Sequence, residues 1–359
     1  LYLWRTNVPK LRGLITEANE EAALYLTQNL QDVIEIQAVA ETLADTKIEH
    51  LQEIEVLIPF IHTKVGPTEL EAMPKLRLIA TRSTGYDHID LAATKERGII
   101  VSNVPGYGET AVAEFTFALI LTLSRKVHQA YARTQRGDYT LEGLRGFDLY
   151  HKTLGVVGTG AIGLHVIRIA TGFGMNVLAY DVKQNRLLSE VLGFRYVPLN
   201  ELLSQSDIIT LHAPAIPSTY HMLNKETFAN LKRGAYLINT ARGSLIDTTS
   251  LAWALDTGIL AGAALDTTEG EEFLHHEEEL LNQTDAEEKL KLLVRNQTLQ
   301  RRPNVIITPH IAFDSEEALR RIQDITIENV KAFLAQTPSN SVTTKCKQPD
   351  LSGRKSFIT

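Results

Sequence analysis

The sequence predicts an α/β protein built on two doubly wound parallel sheets, with one sheet domain inserted into the other. Three observations predict it. Short apolar runs alternate with helix-period segments along most of the chain. One such run, Thr153-Leu154-Gly155-Val156-Val157, leads directly into Gly158-Thr159-Gly160-Ala161-Ile162-Gly163. That glycine turn lies mid-chain, with a separate strand and helix series ahead of it.

In the first series, residues 33–36, 56–58 and 76–80 read as strands, and 20–30 and 68–73 as helices. Residues 109–136 read as one long helix, apolar all round in its first half and therefore buried. A second series begins at Thr153, with strands predicted at 154–157, 177–180, 208–211, 235–239, 262–265 and 305–307. Six short apolar runs with helices between them fit a doubly wound parallel sheet. A last helix is predicted over 315–334, followed by a tail rich in Ser, Thr and Lys.

The simplest arrangement is an insertion. Residues 1–109 and 308–335 form a flavodoxin-like substrate domain, and 110–307 form a Rossmann nucleotide domain within it. Residues 336–359 are a polar C-terminal tail, expected to be loosely held. Two chain crossings between the domains suit a hinged cleft.

The glycine turn carries the first chemical expectation. Gly158 allows a tight turn, Gly160 lets the backbone approach a pyrophosphate, and Gly163 lets helix and strand pack closely. Ala161 and Ile162 open the following helix, whose N-terminus presents N–H groups and a partial positive charge to phosphates. Asp181 ends the next apolar run, eighteen residues past Gly163. A carboxylate there accepts hydrogen bonds from ribose hydroxyls and repels a 2′-phosphate, so NAD is expected over NADP. Lys183 is the one nearby residue that favours NADP, unless it is a solvated surface lysine.

Composition removes other classes. The 359 residues suffice for two domains, and a formal net charge of −7 gives nucleic-acid binding no electrostatic support. The longest apolar stretch, residues 115–123, is too short for a membrane span and contains two threonines. No secretory leader is legible at the start, and the single cysteine, Cys346, allows no internal disulfide, so a cytoplasmic location is expected. Residues 269–302 form an acidic surface excursion containing His275-His276-Glu277. Adjacent helical side chains diverge, so a solvated face and no metal are expected there.

Four more stretches fall at strand ends in a telling order: residues 82–90 (RSTGYDHID), 239–243 (NTARG), 265–271 (LDTTEGE) and 308–313 (TPHIAF). Together with the glycine turn they resemble the D-isomer-specific 2-hydroxyacid dehydrogenase family from about residue 50 to 335. The resemblance implies NAD-linked interconversion of a small 2-oxo acid and a D-2-hydroxy acid. It also implies two domains with the cleft between them, and a homodimer.

The residues suit that chemistry. Reducing a 2-oxo acid requires a hydride donor, a proton donor and a cation. His310 is the natural proton donor, because imidazole titrates near neutrality. Glu271 matches the family carboxylate partnered with that histidine, and such a neighbour stabilises an imidazolium. By spacing alone Glu269 is an equal rival; the count of five from Asp266 in the family pattern selects Glu271. Arg242 offers a guanidinium fork for a carboxylate, or else an interdomain salt bridge. Asp266 matches the acid near the nicotinamide carboxamide, and His212, Ala213, Pro214, Thr240 and Ala241 match loops lining the cofactor crevice.

Thr84 and Gly85 match the loop whose N–H groups receive the substrate carboxylate. Tyr107 matches a tyrosine that lines the pocket in lactate-type members, and Phe313 would likewise restrict pocket volume, though both are also compatible with plain core packing. A D-lactate dehydrogenase-like activity is the leading expectation. A glyoxylate or hydroxypyruvate reductase and a non-catalytic NADH-sensing corepressor are the alternatives. A pure binder has no need of Arg242, Glu271 and His310 together.

Overall fold

The structure is a computed structural model that describes residues 10–45, 50–271 and 286–343. The chain divides into two compact units, one of Leu1–Tyr107 with Glu316–Thr359, the other Gly108–Ser315.

The first unit holds β1 (Leu11–Ile15), β2 (Ile34–Ala38), β3 (Val56–Ile58), β4 (Leu78–Ala80) and β5 (Ile100–Ser102), in the order β2-β1-β3-β4-β5. All pairs are parallel, and the order is that of a flavodoxin-like sheet. Adjacent residues Leu14 and Ile15 enter the cores on opposite faces, so both faces are covered. One face receives α1 (Glu20–Leu30), whose first turn is capped by Asn19 accepting from Ala22 N at 2.8 Å. The same core takes Ile327 and Val330 of the terminal helix, here α12 (Glu316–Leu334). The other face packs Leu70 of α2 (Pro67–Ala72) and Leu91 of α3 (Leu91–Glu96).

Two strands here are absent from the sequence reading. In β1 the apolar run is broken by Arg12 and Gly13, and β5 is only three residues long. The tail also departs from its expectation through Thr343. Val342 N bonds Val101 O at 2.8 Å, Asn103 N bonds Asn340 O at 3.1 Å, and Ser341 bridges Ser102 antiparallel. These residues extend the sheet edge, and Asn329 of α12 anchors Asn340 at 2.9 Å. Cys346 lies outside the described residues.

The second unit opens with α4 (Glu109–Arg125) and α5 (Val127–Thr134). The single helix expected over 109–136 is therefore broken, at Lys126, which adopts a left-handed φ of 53°. The cause is tertiary. Phe147 N bonds the Ser124 carbonyl at 3.0 Å, and Gly146 lies so close to that oxygen that a Cβ would stand 2.1 Å away.

The sheet contains β6 (Thr153–Val157), β7 (Asn176–Tyr180), β8 (Arg195–Tyr196), β9 (Ile208–Leu211), β10 (Ala235–Asn239), β11 (Leu260–Leu265) and β12 (Val305–Ile307). The order is β12-β11-β10-β9-β6-β7-β8, all parallel. Seven strands stand where six were expected, the extra one being the two-residue edge strand β8. Helices α6 (Ala161–Gly172), α7 (Arg186–Leu192), α8 (Leu199–Gln205), α9 (Lys225–Ala229), α10 (Thr248–Asp256) and α11 (Ala286–Gln300) connect them. The strand order reverses between β6 and β9, which places a ligand crevice at their carboxyl ends.

The chain leaves this unit at 315/316 rather than at 307/308. Residues 308–312 are held by Asp266, whose carboxylate accepts from Thr308 Oγ1, Ile311 N and Ala312 N at 2.6, 3.0 and 2.8 Å. α11 occupies the later part of the charged excursion, and His275, His276 and Glu277 lie outside the described residues. Among the described residues no helix is long and apolar enough to cross a membrane, and no cluster of ligating side chains suits a metal ion.

Candidate active site

The glycine turn sits at the switch point between β6 and β9. Gly158 takes φ 97° and donates its N–H to Tyr180 O at 2.8 Å. A Cβ on it would stand 2.6 Å from His212 O, and one on Gly163 would stand 2.1 Å from Gly158 O. Both glycines are thus demanded by protein backbone. Gly160 is different: nothing lies within 4 Å of its Cβ position. No protein neighbour requires a glycine there, whereas a pyrophosphate seated on the turn does. Gly160 is also the N-cap of α6 and no side chain caps that helix, so Ala161 and Ile162 begin an N-terminus suited to phosphate.

Asp181 follows β7. One oxygen accepts from Thr159 N at 2.7 Å and Thr159 Oγ1 at 3.1 Å, the other from Lys183 N at 2.8 Å. Burial works against its charge, but the N–H groups of Lys183, Thr159 and Val182 and the Thr159 hydroxyl outweigh it and hold the pKa below the ordinary aspartate value. Asp181 therefore stays anionic beside the turn. Lys183 contributes its backbone to that carboxylate. Tyr196 Oη joins Thr159 Oγ1 at 2.9 Å, a neighbour that motif reading alone does not supply.

Beyond β9, His212 Nε2 lies 2.9 Å from Thr210 Oγ1, and its Nδ1 is buried without a hydrogen-bond partner. Burial pushes the pKa of this ring down to about 3, which keeps it neutral. Ala213 N lies under Gly158, 2.9 Å from where its Cβ would be, and Pro214 continues the loop, its carbonyl accepting Thr219 Oγ1 at 2.6 Å.

Three loops at the ends of β10, β11 and β12 carry Arg242, Glu271 and His310. After β10, the fully buried Asn239 folds the turn back on itself. Its Oδ1 accepts from Ala241 N at 3.0 Å and its Nδ2 donates to Arg242 O at 2.9 Å. Thr240 Oγ1 meets Thr116 Oγ1 of α4 at 2.9 Å. This turn presents the half-buried Arg242, one of whose Nη groups donates to Ala241 O at 2.9 Å.

After β11, Asp266 is 1% exposed and shapes the third loop through the bonds given above. Its own carbonyl accepts His310 N at 2.9 Å, which helps hold His310 at φ 54°. Left-handed backbone at a bulky residue is uncommon and collects at functional sites. His310 Nδ1 lies 2.9 Å from Glu271 Oε1, and the other Glu271 oxygen accepts Thr268 N at 3.0 Å. Glu269, the rival by spacing, turns elsewhere and meets His221 Nε2 at 2.5 Å. Phe313 stands edge-on to the His310 ring, 6.4 Å between centroids at 76°. With Nδ1 occupied by Glu271, the histidine has Nε2 left for a proton to and from another molecule.

In the first unit, Thr84 and Gly85 lie on the accessible loop after β4. Thr84 Oγ1 bonds Val104 O at 2.7 Å and Ser83 Oγ bonds Gly85 O at 2.6 Å. The buried Arg82 guanidinium braces the base of that loop against Thr16 O and Glu17 O. Tyr107 is 9% exposed, and its carbonyl accepts Arg321 Nε at 2.8 Å.

Comparison with known proteins identifies the family. Residues 117–312 match the family model described as the D-isomer specific 2-hydroxyacid dehydrogenase NAD-binding domain. The chain belongs to that family. It is 41% identical over 293 residues to a 2-hydroxyacid dehydrogenase homolog of Haemophilus influenzae, covering 80% of this chain and 85% of that one. It is 42% identical over 262 residues to an aromatic 2-oxoacid reductase of Clostridium sporogenes, covering 72% and 76%. Among solved structures, the D-lactate dehydrogenase of Aquifex aeolicus complexed with NAD and lactic acid superposes with a TM-score of 0.83 at 36% identity, covering 93% and 99%. This dehydrogenase is an NAD-dependent oxidoreductase acting on the CH–OH group of D-2-hydroxy acids.

Proposed function

We propose that this dehydrogenase reduces pyruvate to D-lactate, with His310 as proton donor and Glu271 as its partner. The observation that carries the proposal is the 2.9 Å contact between Glu271 Oε1 and His310 Nδ1. Bound NADH supplies the hydride that adds to C2 of the 2-oxo acid. His310 delivers its Nε2 proton to the keto oxygen as charge develops there. Glu271 keeps the ring oriented through its contact with Nδ1. Arg242 holds the substrate carboxylate in its fork and stabilises the forming alkoxide. Thr84 and Gly85 receive the same carboxylate through backbone N–H groups. Tyr107 and Phe313 limit the volume around the substrate methyl group. In the reverse direction the same histidine, deprotonated, takes the hydroxyl proton.

Gly158, Gly160, Ala161, Ile162, Gly163 and Asp181 hold the pyrophosphate and ribose in this reading. His212, Ala213, Pro214, Thr240, Ala241 and Asp266 line the nicotinamide side. The substrate choice is supported by the similarity to an enzyme solved with lactic acid. The identity with an aromatic 2-oxoacid reductase makes phenylpyruvate the competing substrate. The family resemblance also supports a homodimer, which sedimentation would read directly.

The test is NADH oxidation with pyruvate, 2-oxobutyrate, glyoxylate, hydroxypyruvate and phenylpyruvate in parallel. Preference for pyruvate, with D-lactate as product, is expected. A preference for glyoxylate or hydroxypyruvate would select the reductase alternative. Tight NADH binding without turnover of any of them would select an NADH-sensing role instead.

A further inference from the structure

We propose that His221 is a positioning residue, a bridge that fixes the Arg242 loop and the Glu271 loop to each other; the inference rests on the functional reading above. His221 belongs to none of the motifs that carry the family resemblance. It lies between β9 and α9, in a segment without regular structure.

Its two ends are engaged on different loops. The His221 N–H donates to Ser244 O at 2.9 Å, two residues past Arg242. Two residues on, Leu223 N donates to Leu245 O at 3.0 Å, so the segment runs as a short parallel splint beside the Arg242 loop. The ring reaches the other loop, with Nε2 2.5 Å from Glu269 Oε1. An Nε2–H donor makes that bond whether the ring is neutral or charged. The side chains are 27% and 18% exposed, so the contact is partly shielded from solvent.

Glu269 then passes the constraint on. Its second oxygen accepts Thr248 Oγ1 at 2.8 Å and Thr248 N at 3.3 Å, at the first turn of α10. Its carbonyl accepts Asn296 Nδ2 of α11 at 2.8 Å. With side chain and backbone both pinned, only Gly270 separates it from Glu271. The turn closes through Glu271 N to Thr268 O at 3.2 Å and Thr268 N to Glu271 Oε2 at 3.0 Å. His221 itself is held in a left-handed conformation, φ 47°, with the Tyr220 ring stacked on it at 3.9 Å. A non-glycine residue keeps such a backbone only when its surroundings over-determine it.

The test pairs His221→Asn with Glu269→Gln. Asparagine tolerates left-handed backbone, so the first variant removes the reach of the ring and spares the turn. Each variant is expected to lower kcat for 2-oxo acid reduction about ten- to a hundred-fold, the cost of a misplaced reacting group, with the NADH Kd within about twofold. In a Glu271→Gln background the same substitutions should change kcat by less than about twofold, because residues acting through one another are not additive. A purely structural role would lower activity equally in both backgrounds and would overturn the proposal. A second arm needs no turnover. Amide hydrogen exchange at Thr268 and Glu271 in the cofactor-free protein should accelerate roughly tenfold in His221→Asn, with β6 unchanged. Unchanged exchange at those two amides would overturn the bridge, while absent turnover in the wild-type protein would count against the functional reading alone.

Discussion

Gly243 and Thr268 meet backbone to backbone: a Cβ on Gly243 would stand 2.1 Å from the Thr268 carbonyl carbon and 2.4 Å from Glu269 N. The loop that presents Arg242 and the loop that presents Glu271 therefore share a contact with no room for a methyl group. Gly243 has no left-handed φ, so the demand is purely steric. Gly243→Ala must push the two loops apart, and kcat/KM is expected to fall about a hundred-fold. NADH affinity should stay near the wild-type value, because the Gly158 turn is untouched. Steady-state kinetics with a fluorescence titration of NADH check both halves.

Arg242 projects from a turn tied by Asn239, so the guanidinium starts from a fixed base. Arg242→Lys keeps the charge and loses the fork. The expected loss is about 1.5–3 kcal/mol of charge-assisted hydrogen bonding, roughly ten- to a hundred-fold in kcat/KM, shared between KM and kcat. A lysine variant with unchanged KM for pyruvate would remove Arg242 from substrate binding.

Asp181 stays anionic next to the Gly158 turn, and in the proposed reading it excludes a 2′-phosphate on the ribose. Asp181→Ser should lower kcat/KM with NADH about tenfold or more through the lost charged acceptor, and should raise it with NADPH. The ratio of the two cofactors, measured with one substrate, reads the effect. An unchanged ratio would show that another residue sets the preference.

His212 predicts how stability responds to acid. The folded ring stays neutral down to about pH 3, whereas the imidazole of the unfolded chain takes its proton near 6.5. Between those values the unfolded chain binds the extra proton, so stability is full above the upper value and falls as the pH falls. The slope from this one group is at most about 1.4 kcal/mol per pH unit. His212→Gln should flatten the dependence across that window, measured by denaturant unfolding. An equal slope in the variant would place the acid sensitivity elsewhere.

These positions differ in how far the sequence discloses them. β6, the glycine turn, α6, β7 and Asp181 are legible because each signal is local: an apolar run, a glycine spacing, a terminal acid. β1 is not, since Arg12 and Gly13 interrupt its apolar run. The break at Lys126 carries no glycine or proline and is imposed by Gly146 and Phe147 arriving at Ser124 O. At the site, Glu269 and Glu271 are equivalent by composition and nearly so by spacing. The family pattern selects Glu271, and the fold sends Glu269 to His221 and Glu271 to His310. Asn239 and His221 act through backbone carbonyls and a partner carboxylate, and neither leaves a spacing in the sequence that marks its task.

If His310, held by Glu271, donates the proton, steady-state reduction of pyruvate by His310→Gln should lose about a hundred- to ten-thousand-fold in kcat with NADH affinity retained. A variant turning over at near the wild-type rate would contradict it.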